Sequence, residues 1–117
     1  MFLRIAVTAQ TVALLLQAVT AGLLLASPGG WTAHRATAPG VVVTVLLCLI
    51  AALVSRRIGA IVRAAGMLMM TLAQMALGMA HVKSLHVPLG VLMFGVSMVQ
   101  LARAWSVSRT ETASPSR

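Results

Sequence analysis

The sequence has almost no negative charge: Glu111 is the one acidic residue, set against nine Lys and Arg. Charged residues make up 9% of its 117 positions and apolar ones 60%, where a soluble domain carries about 25% charged residues. That scarcity excludes an ordinary soluble enzyme, which would have nowhere to put so much apolar surface, and equally a disordered chain. Tyrosine is absent, and there are only two Trp and two Phe. The net charge of +8 therefore comes without stacking side chains, and the basic residues sit at the ends of apolar runs rather than in one patch. Nucleic acid is excluded as a partner on both counts. Cys48 is the single cysteine, so there is no disulfide framework, and inside an apolar run it reads as a small packing residue. The membrane carboxylate that proton-coupled carriers usually need is also missing, which argues against a transporter.

What is present is long hydrophobic runs. Four of them, over residues 3–26, 36–54, 58–80 and 85–107, approach or exceed the roughly 20 residues that cross a bilayer. The first ends at Ser27-Pro28-Gly29-Gly30 and the second at Ser55-Arg56-Arg57. The runs lack period-2 alternation and are too long for membrane strands. These features predict an all-α fold: an integral membrane antiparallel four-helix bundle occupying residues 1–107, with a polar cytoplasmic tail over residues 108–117. The first run is too long for a signal-peptide core of about 7–15 residues. Gln10 and Gln17 also share one helical face, so the run reads as a retained helix. Arg4, Arg56, Arg57, Arg63, Arg103, Arg109 and Arg117 fall on one side, and Arg35 and Lys83 on the other. By the positive-inside rule this predicts a multi-pass protein of the cell membrane with both termini cytoplasmic and residues 27–35 and 81–84 in outward loops.

The two helical hairpins resemble each other. The first contains Gln17, Gly22, then His34-Arg35 and Pro39-Gly40; the second contains Gln74, Gly78, then His86, Pro88 and Gly90. This ordered repeat predicts two hairpins related by an axis along the membrane normal. In an up-down bundle the second and fourth helices are parallel diagonal neighbours, so His34 and His86, which open them, face each other at similar depth. Two opposed imidazoles are the ligand set of a bis-histidine haem. From His86, helical spacing reaches Gly90, Met93, Ser97 and Gln100; Gly90 offers room beside a flat macrocycle, and Met93 and Phe94 suit pocket walls. From His34 it reaches Ala38, Val41, Val45 and Cys48. From Gln74 it reaches Gly66, Met67, Met70, Thr71, Gly78 and His81. Arg35 and Lys83 stand at the same mouth, where propionates seek cations. His81 is the alternative iron ligand. The ordinary roles of these residues are snorkelling for the histidines and cations, close packing for the glycines, and interhelical hydrogen bonding for Gln17 and Gln74.

The pattern Gln17…Gly22…His34-Arg35 and Gln74…Leu77-Gly78…His86 resembles one four-helix half of the haem A synthase family, membrane enzymes of cytochrome oxidase assembly. The resemblance covers about residues 3–106 and implies His34 and His86 as the haem ligand pair. Such proteins carry two related bundles and an acidic residue three positions before the His-Arg pair; here there is one bundle, and Trp31 stands at that position. What the resemblance implies for this chain is a bundle that holds one b-type haem; helical spacing and the repeat set Gln17, Gln74, Gly78, Gly90, Met93 and Arg35 around it, and the function expected is electron transfer or haem handling. The alternatives are a half-size synthase-like oxidoreductase acting as a homodimer and a cofactor-free accessory subunit of a larger membrane complex; the partners expected besides lipid and haem are a second copy or a respiratory membrane complex.

Overall fold

The computed structural model describes residues 1–112; residues 113–117 of the expected tail 108–117 lie outside the described residues. The chain forms four helices: α1 (Phe2–Ala26), α2 (Gly30–Ser55), α3 (Ile58–Met79) and α4 (Lys83–Thr112). Each is long and apolar enough to cross a bilayer. Their sequences are Leu-, Ala-, Val- and Met-rich, and in lipid a helix is the form in which a lone segment satisfies all of its own backbone groups. The breaks between them are short. Ser27 turns extended after α1. Arg56 (φ 53°) and His81 (φ 58°) take left-handed conformations after α2 and α3. Histidine is among the few non-glycine residues enriched in that region, which gives His81 a turn-forming role.

Two boundaries differ from the expectation. The second helix starts at Gly30 rather than residue 36, so the expected outward loop 27–35 shrinks and His34 lies one turn inside α2. The polar stretch Trp31–Arg35 lowers the local hydropathy, yet its inward side chains meet polar groups of α1 and remain helical. At the other end, α4 continues beyond residue 107 to Thr112, so part of the expected tail is helical. Pro39 and Pro88 both lie within helices.

Each helix packs on its sequence neighbours, and α1 closes the ring against α4; α1 and α3 are diagonal, as are α2 and α4. The expected antiparallel four-helix bundle of two hairpins is therefore the observed one. Its interior has three storeys. At the arginine-rich end the packing is by small side chains, Ala6, Ala51, Ala52, Ala60 and Ala64, which bring helix backbones close. In the middle Leu14, Val41, Val45, Met67 and Met93 form the large-residue core. Towards the two hairpin loops the interior turns polar. Outward positions such as Leu15, Leu46, Leu72 and Val91 are exposed and apolar, as lipid-facing positions are. The inner stripe of α2 is as expected, with Val41, Val45 and Cys48 buried. On α3 Met67 and Thr71 are buried, but Gly66 is exposed and does not belong to the inner face.

Candidate functional site: a histidine pair between diagonal helices

His34 of α2 and His86 of α4 meet across the diagonal, with ring centroids 6.2 Å apart and planes at 76°. Each is seated by the glutamine of its own hairpin. Gln17 donates from Nε2 to the His34 carbonyl at 3.3 Å, and Gln74 donates from Nε2 to the His86 carbonyl at 2.8 Å. The same bond in both hairpins is the structural counterpart of the sequence repeat.

The ring nitrogens sort by their partners. His86 Nδ1 lies 3.0 Å from the Gln74 carbonyl, which can only accept, so Nδ1 carries the proton. The Nε2 lone pair of His86 takes no hydrogen bond within the described residues. Thr20 donates to the Gln17 carbonyl at 3.0 Å, and its Oγ1 lies 3.3 Å from His34 Nδ1. With its own proton engaged, Thr20 accepts from His34 Nδ1–H. The Nε2 lone pair of His34 then faces the Gln17 amide nitrogen at 3.2 Å. Thr37 completes the cluster by donating to Gln17 Oε1 at 2.5 Å. Both imidazoles are thus held through Nδ1–H with Nε2 as the lone-pair nitrogen. An anchored Nδ1–H opposite a lone-pair Nε2 is the arrangement that orients a metal-ligating histidine; at His86 that lone pair is free, and at His34 it accepts from the Gln17 amide. Thr20 and Thr37 were not singled out from the sequence, although each stands three residues after its partner, Gln17 or His34, on one helical face.

The glycines have distinct neighbours. A Cβ on Gly78 would lie 3.2 Å from His86 Cε1, so Gly78 makes room for the imidazole. A Cβ on Gly90 would lie 2.8 Å from Gln74 Nε2, so the space beside Gly90, expected to be open, is filled by that amide. Gln74 Oε1 is buried there with no hydrogen-bond partner. Met93 is buried one storey below, in the central core with Met67.

The remaining expected residues lie at the rim. Arg35 is exposed, with its guanidinium 5.6 Å from the centre of the Trp31 ring. His81, expected on an inner face, is exposed in the α3–α4 turn, its ring 6.5 Å from that of Trp31. The left-handed turn carries it out of the helical stripe. Lys83, at the start of α4, is exposed. Among the described residues no cluster of three or more His, Cys, Asp or Glu side chains forms, so the two histidines stand as a pair.

A second polar cluster lies towards the arginine-rich end. Thr11 donates to the Val7 carbonyl, so Ser97 donates to Thr11 at 2.7 Å and accepts from Gln10 Nε2 at 3.2 Å. Gln10 is fully buried and its Oε1 has no partner. Ser97 is the hub that ties α1 to α4. Ser97→Ala strips Gln10 Nε2 of its acceptor and should cost about 1–2 kcal/mol. Gln10→Leu removes both amide atoms together with the unpaired Oε1, and should cost less. Unfolding by SDS in mixed micelles measures both, and a larger loss for Gln10→Leu would contradict this account.

Comparison with protein-family models, with curated proteins and with solved structures finds no match.

Proposed function

We propose that the protein is a membrane haem-binding protein in which His34 and His86 are the axial ligands of one b-type haem, serving electron transfer or haem handling. The observation that carries this reading is the histidine pair itself. Two imidazoles facing each other across the bundle would hold one haem iron between them. His34 and His86 stand with ring centroids 6.2 Å apart, each with Nδ1 anchored; the Nε2 lone pair of His86 is free, and that of His34 becomes available once the Gln17 amide turns away.

The surrounding residues fit on one condition. A macrocycle between the rings would displace the Gln74 amide and also the Gln17 amide, which gives up its bonds to His34 Nε2, the His34 carbonyl and Thr37. Gln74 gives up only one hydrogen bond, to the His86 carbonyl, and its Oε1 is already unpaired, so the amide is weakly held where it lies. Gly78 and Gly90 then supply the clearance, and Arg35 and Lys83 stand at the open end for the propionates. An apolar groove of about 370 Å³ lined by Leu77, Leu85, Pro88, Leu89 and Leu92 lies along α3 and α4 at this level.

A bis-histidine iron has no open coordination position, so the group when bound supplies one-electron chemistry rather than oxygen activation. The chain's own part is to fix the two rings and exclude water. We read the likeness to one half of haem A synthase as kinship in this binding mode. The reading does not extend to the synthase reaction, since Trp31 replaces the acidic residue and the four spans contain no carboxylate. The absorption spectrum of purified protein tests the proposal. A Soret band with a sharp reduced α band is expected, and a colourless protein from haem-replete cells contradicts it.

The same reading places both termini in the cytoplasm and the histidines near the outer face of the cell membrane. Seven basic residues against two carry this orientation. A reporter fused after Arg117 should score as cytoplasmic; an external score would move the histidine pair to the inner face.

A further inference from the structure

The end of the bundle remote from the histidines carries a second groove, of about 470 Å³, between α3 and α4. Leu92, Val96 and Val99 line its apolar length, and Arg63, Gln100 and Arg103 line the remainder. Leu92 and Arg103 are separated by three turns of α4, roughly 16 Å along its axis. The groove therefore runs from the apolar middle of the span to its charged edge. Gly95 lies within it, with nothing inside 4 Å of the position a Cβ would take.

Both arginines belong to membrane-crossing helices rather than loops: Arg63 lies within α3, more than a turn past its start at Ile58, and Arg103 lies in the last turn of the Lys83–Ser106 span. The Arg63 guanidinium folds back along α3, its Nη1 3.3 Å from the position of a Gly59 Cβ, so it reaches towards the membrane edge. A guanidinium cannot shed its charge, and at the edge of a low-dielectric phase it is stabilised by water or by an anion. The spans hold no carboxylate to supply one, the sole acidic residue of the chain being Glu111.

We propose that this groove binds one anionic phospholipid, with the headgroup phosphate held by Arg63 and Arg103, an additional hydrogen bond from the Gln100 amide, and one acyl chain laid along Leu92, Val96 and Val99. Two features select that occupant. The planar guanidinium fork matches phosphate oxygens, and two cations prefer a lipid of net negative charge to a zwitterionic one. The apolar length beyond them suits a hydrocarbon chain, which free phosphate lacks. Basic pockets between membrane helices are general headgroup sites of this kind.

The test is native mass spectrometry of the full-length protein released from nanodiscs of equimolar phosphatidylglycerol and phosphatidylcholine. The unaltered protein should retain phosphatidylglycerol in preference, and Arg63→Gln or Arg103→Gln should each reduce that preference about fivefold. Arg35→Gln, at the opposite end of the bundle, should leave it intact. Gly95→Leu fills the groove with both arginines in place and should lower retention of both lipids. In the unaltered protein the preference should also fall as salt is raised. Equal retention of the two lipids by the unaltered protein would overturn the proposal and leave the arginines simply reaching water. A preference unchanged in both Arg→Gln variants would overturn it equally. Inorganic phosphate competing as well as the lipid would assign the site to a free anion instead.

Discussion

His34→Ala and His86→Ala should each abolish the low-spin haem signal, while His81→Ala should leave it largely intact. His34 and His86 are the one pair of imidazoles that face each other within the bundle, 6.2 Å apart, whereas His81 is exposed in a turn and lies beside Trp31. Removing one axial ligand leaves a five-coordinate or water-ligated iron, so the α band should collapse and the Soret band shift to a high-spin position even where haem stays bound. Each imidazole is one of the two ligands that the reading requires, so the two variants should behave alike. Low-spin haem that survives loss of His34 but not of His81 would mean that the pairing across the diagonal is wrong.

Gly30→Ala should destabilise the bundle and also weaken haem retention, although residue 30 touches neither histidine ring. Gly30 is buried at the first position of α2, and a Cβ there would collide with the backbone of Leu23 and Leu24 in the last turns of α1. Backbone cannot yield as a side-chain tip can, so the first turn of α2 must shift or unwind. The expected cost is about 1–3 kcal/mol. His34 lies one turn further along the same helix, and its anchors Gln17 and Thr20 are on α1. A displaced first turn therefore lengthens these bonds and disturbs the imidazole. Gly29→Ala is the control, because a Cβ at Gly29 has nothing within 4 Å. Thermal unfolding in detergent, followed together with the α band, should show both losses for residue 30 and neither for residue 29. A silent Gly30→Ala would show that the close approach of α1 and α2 is not required.

The fold was legible because bilayer thickness and hydropathy constrain helix number and pairing so strongly. Four runs separated by short polar breaks admit few arrangements, and the observed ring of neighbours is the up-down one. The start of α2 was not legible from hydropathy. Trp31, Thr32, His34 and Arg35 read as a loop until the Gln17 and Thr20 side chains that satisfy His34 are seen. The Gln–His repeat pointed to the pair and its diagonal meeting, because parallel diagonal helices bring equivalent residues to one depth. It did not reveal that each glutamine donates to the carbonyl of its histidine, nor that Gln74 fills the space at Gly90; both depend on rotamers that helical spacing does not specify. Gly66 and His81 were misplaced for a related reason. A 3.6-residue stripe drifts over many turns, and the left-handed residue at His81 breaks it altogether. The Gln10–Ser97–Thr11 cluster joins positions nearly the whole chain apart, and helical spacing within either helix carries no information about that match.

The most direct test of the central claim is a titration of haemin into the purified full-length protein after haem depletion, followed at the Soret band and, after reduction, at the α band. The account predicts saturation at one haem per chain with a low-spin spectrum, and loss of that spectrum in the His34→Ala/His86→Ala double variant. A titration without a break, or one whose low-spin spectrum persists in the double variant, would contradict it.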